Sequence, residues 1–292
     1  MANSILSIGA SALAAAQAGM LTTGHNISNV NTPGYSRQET IQIDRPGAFT
    51  GGGYLGNGVD VATVRRVYSD FLAARTISSQ TQASALGVKQ DQLAQLDSIF
   101  GDATSGLSPA LNDFFASINA VAANPSDIAS RQSALSAAQG LVGRFHQLDD
   151  QLGQIRDAAN MRIAGTIQTI NSLGAQIASL NARIMNAPGS SGGATPPNDL
   201  LDQRDQLVTE LNKSVGATAV PQSDGTYNVF LSNGQALVTG VQAQTMTANP
   251  DPQDPQNLTI GLKTAGTTVQ FHSGDFSGGE LGGILEFRDN EL

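Results

Sequence analysis

The first 36 residues contain no Asp, Glu, Lys or Arg; the first charged side chain after Met1 is Arg37. Within this stretch Leu6, Leu13, Met20 and Ile27 recur every seven residues, with Ile5, Ala12 and Gly19 beside them. A seven-residue apolar period belongs to helices that pack on other helices. The stripe is thin, and its flanks are Ala, Gly and Ser. Small residues let helices approach closely but bury little area, at about 25 cal/mol per Å2, and a lone helix with so narrow a seam is marginal in water. Residues 1–36 are therefore expected to be disordered in an isolated monomer and to order when partner helices surround them. A secretory signal begins with positive charge, which is missing. Ser4, Ser7, Ser11, Gln17, Thr22 and Thr23 interrupt every apolar run. The stretch reads neither as an ordinary signal nor as a membrane span.

The rest of the chain shares this sparseness. Charged residues are 13% and aromatics 5%, with no tryptophan, whereas about 25% charged is usual for globular proteins. Such a composition makes long Ala- and Gln-rich helices with narrow apolar seams. The net charge is −9, and the 15 Lys and Arg are scattered, so neither nucleic acid nor an anionic membrane is an expected partner. The absence of cysteine removes disulfides, thiolate metal sites and cysteine nucleophiles.

Beyond the N-terminal helix, residues 31–36 read as a turn, because Pro33 and Gly34 break the helical pattern. Short strands are predicted at 40–44 and around Val59, Val61 and Val64, flanking the glycine-rich run Gly51–Gly58. A helix over about 68–100 repeats Leu72, Ser79, Leu86, Leu93 and Phe100 every seven residues. Ser108 and Pro109 carry the signature of a third helix start, with Leu111, Phe114, Phe115, Ile118 and Val121 as its apolar face. Ser126 is expected to cap the longest helix, 126–186, along which Leu141, Leu148 and Ile155, then Phe145 and Leu152, then Ile163, Ile170, Ile177 and Ile184 form successive rows. At 1.5 Å per residue it would reach roughly 90 Å if unbroken by its five glycines, which points to an elongated subunit. A Pro/Gly/Ser loop at 188–197 precedes a fourth helix to about Lys213, capped by Asn198 or Asp199. The period then changes to two, as Tyr227, Val229 and Leu231 alternate, with hairpin turns at Ser223-Asp224-Gly225 and Ser232-Asn233-Gly234, further strands at 236–238, 258–262 and 269–271, and a Pro- and Asp-rich loop at 249–257.

The expected organisation is mainly α with a small β domain: an elongated, coiled-coil-like helical bundle plus an outward β-rich domain. Its parts are the heptad helix 1–36, a helical bundle 37–213 with a β-rich loop at 38–67, the β domain 214–276, and the start of a further helix at 277–292. That helix has no cap, so the chain reads as the N-terminal part of a longer protein.

The search for chemistry yields little. Gly51–Gly58 lacks a following Lys-Ser/Thr pair and opens no helix, so it is no P-loop. There is no Gly-x-Ser-x-Gly elbow. His25, His146 and His272 lie far apart; His146 with Asp149 and Asp150 reads as a solvated helix face. Asp199, Asp202, Arg204, Asp205, Glu210 and Lys213 read as a salt-bridged face of an amphipathic helix. No catalytic residue, cofactor or metal is expected, and the chain reads as a non-enzyme.

One stretch carries a resemblance. Gly24-His25-Asn26-Ile27-Ser28-Asn29-Val30-Asn31-Thr32-Pro33-Gly34-Tyr35-Ser36-Arg37 resembles the signature of flagellar rod, hook and hook-associated proteins, in which an Asn-rich helix end leads into Asn-Thr-x-Gly-aromatic. Its Pro-Gly-Tyr-Ser-Arg-Gln continuation is similar to the hook-associated family of hook–filament junction proteins; rod and hook relatives more often continue with Phe-Lys. Gly56–Val61 leading to Arg65, Arg66 and Asp70–Leu72, then Asn198–Asp205, and Gly278–Gly283 agree with that family in order. The resemblance implies that the N-terminal helix pairs with a C-terminal helix to line a tube. The assembly interface would consist of Leu6, Leu13, Met20, Ile27, Asn26, Asn29, Asn31, Thr32, Pro33, Gly34 and Tyr35. The implied partners are copies of the chain in a tubular ring, the hook protein, the second junction protein and an export chaperone on the family's C-terminal part. The implied location is the extracellular flagellum, reached by type III export without a cleaved signal. Alternatives are another axial protein (hook, distal rod or flagellin-like) or a secreted adhesin whose β domain binds a ligand.

Overall fold

The structure, a computed structural model, describes residues 2–49, 51–101, 106–188, 196–264 and 266–292. It divides into two compact units. The first comprises Met1–Gln80 and Ile170–Thr245, the second Thr81–Thr169 and Met246–Leu292.

The first unit opens with α1 (Ala2–Ser28), whose C-terminal turn leads into β1 (Gln38–Asp44). A small hairpin, β2 (Ala48–Phe49) and β3 (Tyr54–Leu55), precedes β4 (Val59–Arg66). β1 and β4 pair antiparallel from Gln38↔Arg66 to Asp44↔Val59, with a register shift at Ile41/Gln42. This ladder lies along α1: Val59 N donates to Ser11 Oγ at 3.2 Å, and Asn26 Nδ2 donates to Gln38 O at 2.8 Å. Gly58 permits the approach. It holds φ +96, and a Cβ there would meet Ser11 Oγ at 2.2 Å.

α2 spans Asp70–Phe100 and α4 spans Ile128–Met185, each divided between the two units. The isoleucine row of α4 is its buried face: Ile163, Ile170, Ile177 and Ile184 are all at most 1% exposed. The five glycines do not break the helix. A mid-helix glycine costs about 1 kcal/mol relative to alanine, and burial of this row outweighs that penalty. Against the last turns of α4 lie α5 (Asn198–Ser214) and the sheet β5 (Ala217–Pro221), β6 (Tyr227–Leu231), β7 (Ala236–Thr239) and β8 (Gln242–Ala243), paired in that order. Gly174 lies beside Leu237 and Val238. Both predicted hairpin turns form, with Gly225 and Gly234 at φ +83 and +82.

The second unit contains the remainder of α2 and α4, α3 (Leu107–Ala123), and a sheet of β9 (Thr245–Pro250), β10 (Leu258–Thr264) and β11 (Thr267–Phe271) in the order β11-β10-β9. The segment 214–276, expected as one β domain, thus makes two sheets in different units. After a 3-10 turn at Ser273–Asp275, α6 (Gly279–Asn290) buries Leu281, Ile284, Leu285 and Phe287. Gly283 brings α6 onto the backbone of α2, where a Cβ would lie 2.4 Å from Ala85 O. Lys89 fastens the same pair through Glu286 at 2.8 Å and Glu291 at 3.2 Å.

Three predicted caps move. Gly106 precedes α3, so Ser108 and Pro109 fall inside its first turn, where the missing proline N–H is harmless. Asp127 rather than Ser126 caps α4, accepting from Ala129 N at 3.2 Å and Ser130 N at 3.0 Å. Pro197 precedes α5, and neither Asn198 nor Asp199 caps it; both side chains are used elsewhere.

Candidate assembly interface

α1 is packed the wrong way round for a monomer core. Its inner side rests on the β1–β4 ladder through small residues, Ser11 at 6% and Ala15 at 3% exposure. The predicted stripe faces solvent: Leu6 is 73%, Leu13 59%, Met20 66% and Ile27 69% exposed. Ile5, Leu21 and Val30 are exposed with them. An exposed apolar helix face of this extent marks a surface for contact with protein or membrane. The polar interruptions do not lower its apolarity below that of a span. Ile5–Ser28 is long and apolar enough to cross a membrane by length and composition, with mean hydropathy 1.5, a test that core helices and signal sequences also pass.

The end of α1 is held by asparagine chemistry. Asn26 Oδ1 accepts from Tyr35 Oη at 2.7 Å and from Gln38 N at 2.8 Å, while its amide donates to Gln38 O. One side chain thereby imitates a strand neighbour for the start of β1. Asn29 Nδ2 donates to His25 O at 3.0 Å, and its Oδ1 accepts from Thr32 Oγ1 at 3.2 Å. Asn31, Thr32, Pro33 and Gly34 are exposed at the turn. Gly34 holds φ +78, and a Cβ there would press on Gln206 of α5 at 2.8 Å. Tyr35 packs its ring edgewise on His25 at 5.5 Å. Partial burial, then Asp199 and Asp202, push the Tyr35 hydroxyl pKa up.

The predicted acidic face of α5 is the other half of this site. It is salt-bridged, but to another element and out of solvent: Asp202 is 5% and Arg204 2% exposed. Arg66 Nη1 donates to Asp202 Oδ1 and to Asp205 Oδ2, both at 2.7 Å. Asp202 Oδ2 accepts from Ser36 N at 2.9 Å. Burial works against the Arg66 charge, but the two carboxylates outweigh it and raise its pKa. Burial also pushes Asp205 up, against the pull of Arg66. Tyr68, under the Arg66 guanidinium, is pushed to about 12 by burial and by Asp205. Arg204 turns the opposite way. It stacks on Tyr227 at 3.5 Å and donates to Gly225 O at 2.6 Å and Asn181 Oδ1 at 3.2 Å, fixing α5 to the β5–β8 sheet. Glu210 and Lys213 pair within the helix itself at 2.8 Å.

Three of the sequence blocks therefore converge in space: the Asn26–Tyr35 turn, Arg66, and Asn198–Asp205. They lie far apart in the sequence, and no local pattern joins them. The available signal was the scarcity of charge, which makes a cluster of three aspartates in seven residues conspicuous. Where these blocks meet, a cleft of about 820 Å3 opens, lined by Leu21, His25, Gln38, Val64, Asn198 and Gln203 among others. His25 Nε2 lies 3.3 Å from Asp199 Oδ1, and Gln38 Nε2 donates to the same oxygen at 3.1 Å.

This arrangement has known relatives. Residues 93–292 match the profile of the flagellar hook-associated protein FlgK helical domain, and residues 6–35 that of the flagella basal body rod protein. The chain is 38% identical to flagellar hook-associated protein 1 of Salmonella typhimurium over 291 residues, covering 99% of this chain and 52% of that protein. It is also 38% identical to the Escherichia coli protein of that name, covering 99% and 53%, and 26% identical to the Bacillus subtilis one, covering 94% and 58%. The chain thus spans about half the length of these relatives. The structure of the flagellar hook junction protein FlgK from Burkholderia pseudomallei superposes with a TM-score of 0.66 at 38% identity, over 73% of this chain and 38% of that one. With two thirds of its length under one profile, the chain belongs to the FlgK family of flagellar hook-associated proteins.

Proposed function

We propose that the chain is a structural subunit of the bacterial flagellum at the hook–filament junction, and that it works by helix–helix assembly and not by catalysis. The observation that carries this reading is the outward stripe of α1, with Leu6, Leu13, Met20 and Ile27 all more than half exposed on a helix whose end is fastened by Asn26 and Tyr35. A surface of that kind gains its burial from neighbouring subunits. Family membership supports the location, and the names of the relatives supply hook association. In this reading the turn residues Asn29 to Gly34 contact adjacent subunits, and copies of the chain, the hook protein and the second junction protein are its neighbours. Residues 1–36 order fully only on assembly. Export is by the flagellar type III apparatus without signal cleavage, with a chaperone acting on the part of the family sequence beyond this chain.

The test is deletion of residues 1–35 in the context of the full protein in cells. The expected phenotype is hooks without filaments, with little change in the circular dichroism of residues 68–276. Normal filaments after that deletion would overturn the reading.

A further inference from the structure

Two asparagines of the chain stand directly before glycine, in Asn57-Gly58 and Asn233-Gly234. Such a pair is chemically labile. The glycine nitrogen can attack the asparagine side-chain carbonyl, and glycine has no Cβ to obstruct the approach. A five-membered succinimide forms and ammonia leaves. Water then opens the ring at one of its two carbonyls, giving aspartate or isoaspartate. In isoaspartate the main chain runs through the former side-chain carbon and is one methylene longer. The first step needs a free glycine nitrogen and a side-chain carbonyl that can turn toward it.

The fold treats the two pairs differently. At the second pair both reacting groups are committed. Gly234 N donates to Leu231 O at 2.8 Å, and Asn233 Oδ1 accepts from Gln235 N at 3.0 Å. These bonds belong to the turn between β6 and β7, and the reaction must break them first. At the first pair neither group is committed. Gly58 O accepts from Arg45 N at 3.0 Å, but among the described residues Gly58 N and Asn57 Oδ1 have no hydrogen-bond partner. The Asn57 amide donates to Pro46 O at 2.8 Å in an exposed bond, for which water can substitute.

The position of the first pair gives the product a structural consequence. Gly58 is where the β1–β4 ladder closes on α1: its φ is +96, and Ser11 Oγ and Ile8 Cα leave no room for a Cβ there. The next donor along the chain, Val59 N, reaches Ser11 Oγ at 3.2 Å. A methylene added immediately before Gly58 displaces this junction and draws Val59 off Ser11. It also brings a carboxylate into the stretch from Pro46 to Asn57, which carries no charge.

We propose that Asn57-Gly58 is a site of spontaneous deamidation in the folded chain, and that its isoaspartate product unseats α1 at Ser11. Asn233-Gly234 is the protected reference within the same molecule. The inference stands whether or not the chain assembles.

The full-length chain is held at pH 8.5 and 37 °C, folded or in concentrated urea, and peptide mapping by mass spectrometry follows the gain of one mass unit at each site. In urea the two sites should react at similar rates, since both are Asn-Gly. In the folded chain Asn57 should react at least tenfold faster than Asn233, and Asn57→Gln should remove its step. A smaller ratio in the folded chain would overturn the site. The second half of the proposal is read by hydrogen exchange on the aged chain, purified by anion exchange. The peptide containing Val59 should exchange at least fivefold faster than in the fresh parent. Asn57→Asp, which adds the charge without lengthening the chain, should exchange like the parent. Treatment of the aged chain with an isoaspartyl methyltransferase, which returns isoaspartate to aspartate, should restore protection. An aged chain that exchanges no faster than Asn57→Asp would overturn the unseating.

Discussion

Replacing Arg66 by methionine tests whether the buried ion cluster fastens the α1 turn to α5. The side chains of Arg66, Asp202 and Asp205 are 11%, 7% and 12% exposed, so water screens them little. Methionine keeps the length of the stem and removes both 2.7 Å bonds. Two carboxylates then remain buried without their cation, a defect that costs about 3–5 kcal/mol. For a cooperative unit of this size each kcal/mol lowers the melting temperature by about 2–4 °C, so a drop of roughly 10 °C follows. The pH dependence separates this cause from lost packing. Burial already raises the Asp205 pKa in the parent, and removing the Arg66 charge raises it further. A carboxylate whose folded pKa lies above its unfolded one binds more protons when folded, so stability increases as pH falls through the folded value. The deficit of Arg66→Met should therefore shrink between pH 7 and pH 5, and Arg66→Met/Asp205→Asn should recover part of it at pH 7. Thermal unfolding followed at 222 nm across that pH range is the assay. A variant that melts within 2 °C of the parent, or whose deficit is the same at both pH values, would refute the reasoning.

Two further outcomes are expected. Gly283→Ala places a methyl against Ala85 O, 2.4 Å away in the parent geometry; overpacking of this kind costs about 1–3 kcal/mol, and hydrogen exchange should show it as lost protection in α6 before any change in α1. The Tyr68 hydroxyl, pushed to about 12, stays protonated in the folded chain after an unfolded tyrosine has ionised. Its contribution is thus full below about pH 10 and lost as pH rises toward 12. A spectrophotometric titration at 295 nm should show its ionisation near pH 12, and Tyr68→Phe should remove that step and flatten the alkaline loss of stability.

The helices were legible in the sequence because their apolar rows are strictly periodic. The row from Ile163 to Ile184 is the clearest, and it is wholly buried. Caps were less legible, since several residues at each helix start have a suitable oxygen: Asp127 competes with Ser126, and only the bond geometry chooses. The β segment illustrates a second limit. Alternation located β6, β10 and β11, but nothing local says which sheet a strand joins. β9, which bears Met246 on its buried side, was hidden in the Pro- and Asp-rich stretch that begins at its end. The charges of α5 mark a third. A helix with Asp202, Arg204 and Asp205 reads as salt-bridged along its own length, whereas the cation that holds Asp202 and Asp205 is Arg66, 136 residues from Asp202 in sequence.

That long-range bond also bears on why α1 can present its apolar side to water without collapsing onto its own fold. Three features hold the helix by its other side. Asn26 and Tyr35 fix its last turn, Asp202 holds Ser36 just beyond it, and Gly58 meets Ser11 two turns from its start. The contacts on that side come from small residues, which admit the ladder closely but leave no groove in which Leu6 or Leu13 could bury. Turning the stripe inward would require rotating the helix by about half a turn. That would draw the Asn26 amide away from the Gln38 backbone and leave two strand groups unpaired, at about 1–3 kcal/mol each. The polar fastening therefore protects the apolar face from the competing intramolecular packing. Had the same helix been tied down by leucines on its inner side, the two apolar faces would be nearly interchangeable, and the outward stripe would not be specified.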